Sequence, residues 1–390
     1  MIINTLLDTD LYKLTMMQGV YHQFPRTHVE YEFKCRTPGI DLRPLIRDIR
    51  KEIKSLCSLH MADDELDYLR SLTYITEDFV LYLKSFRLNM DFIIMGEKDG
   101  AFFLNIKGPW IDTILFEIPL LAIINECYFK RDQPEPDWTA GRKKLSFKMN
   151  LIQDELNHGL PFIFSDFGTR RRFSRIWHEE IITTLQQELP GTFTGTSNVD
   201  LARRLGLLPV GTMAHEWLMA GQALCPSLPD SQKFALEHWL KEYRGALGIA
   251  LSDVAGFDAF LNDFDLNFAK AYEGCRHDSG DPFSWGDRLI NHYNTLKIDP
   301  MSKLAIFSDG LTVQKAIQIA RHFQGRINTA FGIGTNLTND VSGKPIQIVI
   351  KMTRCQGSPV AKLSDSPGKQ MCTDQAYLKN LSLIFKGERQ

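Results

Sequence analysis

The sequence predicts an α/β protein: an irregular or incomplete parallel α/β barrel preceded by a smaller α+β region. Three observations predict it. From Pro161 onward short apolar runs alternate with helical segments, the pattern of right-handed strand–helix–strand crossovers in a parallel sheet. Ser165-Asp166, Ser252-Asp253 and Ser308-Asp309 each close one of those runs, and polar residues at the carboxyl ends of parallel strands converge where such folds bind ligands. The first third of the chain instead mixes helices with an alternating strand and a hairpin.

In chain order, a helix is expected over residues 7–22, an alternating strand at Val29–Arg36, and acidic helical sequence through Leu72. A helix over Asp78–Phe86 follows. FIIMGEKDGAFFLNIKG reads as a hairpin turning at Glu97-Lys98-Asp99-Gly100. KRDQPEPDW, from Lys130 to Trp138, is the linker, and an amphipathic helix runs from Thr139 to about His158. The barrel runs are 162–166, 192–197, 209–213, 248–253, 273–277, 303–309, 328–334 and 346–352, giving seven or eight strands in a stretch short for a closed barrel. The expected division is 1–137, then 138–352 with the active site, then 353–390 packing back on the N-terminal part.

Composition narrows the function classes. Forty-five Lys plus Arg against 47 Asp plus Glu give a formal charge of −2, so no global field draws the chain to nucleic acid or an anionic membrane. An anionic ligand must therefore meet a local site. The most apolar stretch, Ile111–Ile124, is broken by Asp112, Glu117 and Pro119, well short of the roughly 20 apolar residues of a membrane span. MIINTLLDTDLYKLTM lacks the basic and apolar regions of a signal peptide, and a cytoplasmic location is expected. Seven cysteines without a C-x-x-C predict reduced thiols and no Cys-based zinc site.

Several segments carry candidate chemistry. FGIGTNLT puts Gly332, Gly334 and Thr335 at a late strand end, where backbone N–H groups can turn toward phosphate oxygens. RHDSGD offers Arg276, His277, Asp278 and Asp281: carboxylates for ribose hydroxyls and a guanidinium for phosphate, or a cation site as the competing reading. FSDFGTRRRFS places three arginines after a strand, one to face an anion while Phe167 supplies an aromatic surface and the others are structural or solvated. GTMAHEW puts His215 beyond a strand end, where a neutral imidazole can act as base or as nucleophile toward phosphorus. P-loop, Rossmann and serine-hydrolase motifs are absent.

In order, LDTDLYKLTM, FSDFGTRRRFS, GTSNVDLARRLG, GTMAHEW, RHDSGDP, FSDGL and FGIGTNLT resemble the nicotinate phosphoribosyltransferase family over nearly the whole chain. The resemblance implies an irregular α/β barrel beside an α/β sandwich domain, and transfer of phosphoribose from phosphoribosyl pyrophosphate to nicotinate, coupled to ATP through a phosphohistidine. By matching motifs it implies His215 as that histidine, and Arg170, Phe167, Tyr12 and Ser197 around nicotinate. Arg276, Asp278, Gly332, Gly334 and Thr335 would hold the donor. It further implies Mg²⁺ without an assigned protein ligand, a role in NAD biosynthesis, and a homodimer; Tyr12 would close the ring's other face from its own chain or, as the resemblance favours, from a neighbour's. The alternatives are a transferase for nicotinamide or quinolinate, or a noncatalytic nucleotide- or RNA-binding protein. Ser197, where an aspartate would suit an amide, and the lack of a basic stripe argue against nicotinamide and RNA respectively.

Overall fold

The computed structural model describes residues 1–341, 343–365, 372 and 374–387. Two sheets organise them. β1 (His28–Cys35), β2 (Ile93–Lys98) and β3 (Ala101–Pro109) come first. β4 (Phe164–Asp166), β5 (Phe193–Thr196), β6 (Leu208–Pro209), β7 (Ile249–Leu251), β8 (Gly274–His277), β9 (Leu304–Phe307) and β10 (Asn328–Ile333) follow, each led to the next by helical structure. β11 (Ile348–Cys355) and β12 (Ser358–Pro359) complete the set.

β4 to β10 form one parallel sheet in the order β6-β5-β4-β10-β9-β8-β7. β6 and β7 lie at opposite edges, so the sheet is a curled half barrel, as the short strand-rich stretch predicts. Seven strands belong to it. The eighth expected run, 346–352, does not: as β11 it pairs antiparallel with β1, in a five-stranded sheet ordered β12-β11-β1-β3-β2. Its alternating apolar pattern suits a sheet with differing faces, which the apolar run alone did not distinguish from a barrel strand.

The hairpin forms as expected, with Asp99 and Gly100 both at positive φ (53° and 73°), the backbone of a two-residue turn matched to strand twist. The acidic stretch divides into helices Ile46–Leu56 and Asp63–Ser71. The first helix begins later than expected, at Leu11. Its preceding residues, a turn and bend over 5–9, are held against the end of β5: Leu11 N–H donates to Ser197 O (2.8 Å), Val199 N–H to Thr9 O (3.0 Å) and Asp200 N–H to Leu7 O (2.9 Å). Residues 353–359 extend the antiparallel sheet, whereas helix Gln375–Lys386 packs on helix Phe257–Asp263 of the half barrel through Leu381, Phe385 and Ala259. One contiguous apolar cluster runs from Ile2 to Val360 and draws on both sheets. The apolar stretch around Ile118–Ile124 lies buried within helix Glu117–Asp132, and no helix among the described residues is long and apolar enough to cross a membrane.

A buried ion pair fixes the N-terminal segment. Arg172, the last of the three arginines, donates to Asp8 through both Nη atoms (2.6 and 2.7 Å), and Asn198 Nδ2 adds a third bond (2.7 Å). Burial pushes the Asp8 carboxyl up, but the Arg172 charge and these bonds outweigh it, leaving it below the usual aspartate range. Asp8→Asn strands the Arg172 charge, so unfolding free energy should fall by about 3–5 kcal/mol in urea titrations. Because the folded-state value is lowered, the wild-type advantage is present at neutral pH and shrinks as pH falls below about 4. A loss that is the same at pH 7 and pH 3 would contradict this account.

Candidate active site

The carboxyl ends of the parallel strands open into a cleft of about 940 Å³, the space at its mouth included. Phe167 and Arg170 follow β4, Ser197 follows β5, His215 lies beyond β6, Arg276 and Asp278 come from β8 and its end, Ser308 follows β9, and Gly334 and Thr335 follow β10. Asp10 and Tyr12, at the start of the first helix, and Lys351 of β11 close the other side. Nine of the ten predicted site residues therefore line one cleft. Gly332 is the exception. A Cβ there would lie 2.3 Å from the Phe167 ring, so its bare Cα lets the ring lie against β10. It shapes the aromatic wall, a part beyond the phosphate cradle expected of it.

Phe167 is held further by its N–H bond to Ile333 O (2.9 Å), and Gly334 packs against its carbonyl, where a Cβ would lie 3.0 Å away. The arginine triplet divides three ways. Arg170, 36% exposed, reaches the cleft with Glu117 Oε1 3.9 Å behind its Nη1; Arg171 also lines it and donates to Gln347 Oε1; Arg172 is the buried partner of Asp8. Ser197 Oγ donates to Asp10 Oδ1 (2.7 Å), so its hydroxyl holds a buried carboxylate in place. Burial lifts the Asp10 carboxyl above the usual range despite that bond. Tyr12 reaches the cleft within its own chain, one of the two placements expected for it.

His215 begins helix His215–Leu224. Its Nε2 lies 2.8 Å from Asp253 Oδ1, 2.8 Å from Lys362 Nζ and 3.4 Å from Asp278 Oδ2. Lys362 Nζ also lies 2.5 Å from Asp253 Oδ2, which accepts from Ser279 Oγ at 2.5 Å. Gln222 fixes the Lys362 segment through reciprocal bonds to Ala361 (2.7 and 2.9 Å). Asp278 Oδ1 accepts from Ser308 Oγ (3.0 Å). Burial, then the Lys362 charge, lowers the His215 pKa to about 4 against the opposing carboxylates.

The other expected candidates serve structure. His277 is buried between Trp285 and Phe307, with ring centroids 5.4 and 5.7 Å away, and Asp281 caps helix Pro282–Thr295. Asp166 accepts from Gly168 N–H (2.8 Å), His178 Nε2 (2.7 Å) and Thr196 Oγ1 (2.6 Å), bracing the turn that presents Phe167. Ser252 Oγ joins Arg276 O to Trp285 Nε1.

Cations crowd the cleft. Burial, then Lys362 and Arg170, brings Lys351 down to about 7, and burial with Arg170 brings Arg171 to about 10. The Nε atoms of Arg171 and Arg276 are buried without a hydrogen-bond partner. Such a set favours anionic ligands.

Comparison with known proteins decides the family. The model of the nicotinate phosphoribosyltransferase (NAPRTase) family matches residues 162–389, and that of the family's N-terminal domain matches residues 7–125. The chain belongs to the nicotinate phosphoribosyltransferase family. Within it, the nicotinate phosphoribosyltransferase of Bordetella pertussis is 57% identical over 388 residues, 99% of this chain and 96% of that protein. The nicotinate phosphoribosyltransferase of Acidovorax sp. (strain JS42) is 56% identical over 396 residues, 99% of both. The crystal structure of the nicotinate phosphoribosyltransferase from Vibrio cholerae superposes with a TM-score of 0.95 at 41% identity, covering 100% of this chain and 95% of that one.

Sequence reasoning missed Lys351, Lys362, Asp10 and Lys13 as parts of the site or its support. A lysine inside IQIVIKM was a visible signal, since a charge on an apolar strand needs a polar destination; Lys362, in irregular chain, gave none. The lowered His215 value predicts that imidazole NMR shifts of His215 stay constant from pH 5.5 to 8 in the free protein and move near pH 4. A midpoint near 6.5 would show that the burial and Lys362 effects are absent.

Proposed function

We propose that this chain joins nicotinate to phosphoribosyl pyrophosphate, forming nicotinate mononucleotide and pyrophosphate, with ATP coupled through a phosphoryl group on His215. One observation carries the reading: a single cleft sets Arg170 and two aromatic rings within the same walls as His215, Arg276 and Asp278. The Arg170 guanidinium takes the nicotinate carboxylate, and Phe167 and Tyr12 bound the ring. Ser197, by occupying Asp10, keeps that carboxylate turned from the substrate's own charge. Asp278 accepts ribose hydroxyls, Arg276 meets phosphate, and Gly334 and Thr335 leave room for the 5-phosphate.

The pyridine nitrogen attacks the anomeric carbon as its bond to pyrophosphate breaks, and both electrons leave with the pyrophosphate. No base is required. Positioning and stabilisation of the departing anion lower the barrier. The potential metal ligands among the described residues, His215, Asp253 and Asp278, enclose the Lys362 ammonium, so Asp253 is already neutralised there. Asp278, facing the cleft, is the carboxylate that fits a Mg²⁺ held mainly by substrate phosphates, and that ion would supply charge neutralisation on the diphosphate.

A ring nitrogen cannot donate to Asp253 and accept from Lys362 at once. Lys362 already donates to Asp253 Oδ2, so Nε2–H donation to Oδ1 satisfies the group and leaves the Nδ1 lone pair to take the phosphoryl. The helix N-terminus then favours the added negative charge. A homodimer, cytoplasmic like the monomer in this reading, would carry two self-contained clefts.

Purified protein given nicotinate, phosphoribosyl pyrophosphate, Mg²⁺ and ATP should yield nicotinate mononucleotide, and nicotinamide should be a poor substitute. Arg170→Ala should cut kcat/KM for nicotinate by about ten- to a hundredfold, from loss of a charge-assisted hydrogen bond. Loss of nicotinamide turnover by the same factor would remove Arg170 from carboxylate recognition. His215→Asn should abolish acid-labile labelling by γ-labelled ATP while slow ATP-independent transfer survives. A folded variant that still takes the label would move the role to another residue.

A further inference from the structure

Beneath the floor of the cleft, one buried ammonium touches the supports of both its ends. Lys13, the residue after Tyr12, is fully buried; its Nζ lies 2.6 Å from Glu117 Oε2 and also bonds Glu216 Oε2. Glu216 directly follows His215. Its Oε1 accepts from Tyr31 OH and Trp110 Nε1, each at 2.6 Å, so three donors satisfy this carboxylate. Glu117 is placed differently. Lys13 is its only close partner among the described residues, and its free Oε1 faces Arg170 Nη1 at 3.9 Å, beyond hydrogen-bond distance.

Two carboxylates share one ammonium in a buried setting, which leaves an excess negative charge. Arg170 is the guanidinium next to it. Without Lys13, Glu117 would have Arg170, 3.9 Å away, as its nearest cation, with Lys351 the weaker charge beyond it, and a guanidinium and a carboxylate close readily into a bidentate pair. Such a pair would turn the Arg170 donors away from the cleft.

We propose that Lys13 is a positioning residue for the acidic pyridine substrate: by holding Glu117 it keeps the Arg170 donors free in the cleft, and through Glu216 it ties that setting to the helix begun by His215. The proposal rests on the reading that Arg170 binds the nicotinate carboxylate. Burial works against the Lys13 charge, but the two carboxylates more than offset it and hold the ammonium protonated. Glu117 likewise stays ionised, because the Lys13 and Arg170 charges outweigh its burial.

The test compares Lys13→Met, Glu117→Gln and the double variant by steady-state kinetics, with nicotinate and phosphoribosyl pyrophosphate varied separately. Lys13→Met should raise KM for nicotinate about tenfold or more while moving the donor KM by about threefold at most. The double variant, which removes the competing carboxylate, should return nicotinate KM to within about threefold of wild type. A purely structural role predicts loss of folded protein without that KM split or that rescue. Equal rises in both KM values, or failure of the double variant to recover, would overturn the proposal. Should Lys13→Met not fold, Glu117→Gln alone decides: with Lys13 already holding Glu117 away from Arg170, nicotinate KM should stay within about threefold of wild type, and a roughly tenfold rise, which would make Glu117 an aid to Arg170 rather than its competitor, overturns the proposal. Arg170→Ala in the same assay separates the two levels. If it spares nicotinate KM, the carboxylate reading fails; if it raises nicotinate KM and Lys13→Met does not, only the role of Lys13 fails.

Discussion

The cleft exists because the segment 7–13 near the start of the chain is bonded onto the carboxyl ends of a sheet that begins some 150 residues later. Asp8 pairs with Arg172 beyond β4, Asp10 accepts from Ser197 beyond β5, and Lys13 reaches Glu216 beyond β6. Each contact joins an N-terminal acid or base to a different strand end. Together they bring Tyr12 to Phe167 and turn an open half barrel into a walled site. The cost of burying Asp8 and Lys13 is met by pairing each with hydrogen bonds as well as opposite charge, the condition under which buried ions persist, while Asp10 is held by the Ser197 hydroxyl.

The free charges of the cleft follow another logic. Arg170, Arg171, Arg276 and Lys351 line one cleft, with Lys362 paired to Asp253 beside His215, and burial with repulsion from neighbouring cations lowers Lys351 and Arg171. A folded protein bears such a set when anionic ligands complete it. The histidine is tuned in the opposite sense: a neutral His215 with one nitrogen committed to Asp253 presents a lone pair rather than a charge. Clustered cations and a neutral histidine thus share one cleft through different electrostatic settings.

Much of this was legible in the sequence. Strand-end serines and acids marked the carboxyl edge of the parallel sheet, and the Asp-Gly turn fixed the hairpin, because both depend on local chemistry. Legibility failed where partners lie far apart. Nothing around Lys13 announces Glu117 and Glu216, 104 and 203 residues away, since a buried charge is explained only by its distant partners. The run IQIVIKM satisfied a barrel strand and an antiparallel strand equally, and its pairing with β1 was decided by tertiary context. Gly332 shows a third limit. Sequence gave a glycine at a strand end, but whether its missing side chain admits a phosphate or an aromatic ring depends on Phe167, packed against it from another strand.

The central claim is that one chain supplies both the aromatic walls and the cation for the acidic ring, beside the anion-binding end. A crystal structure of the protein with nicotinate tests it most directly. The account predicts the ring against Phe167 with Tyr12 of the same chain nearby, and the carboxylate within hydrogen-bond distance of Arg170. A carboxylate bound at Arg276 or Lys351, or a ring closed by Tyr12 from a second copy, would contradict it.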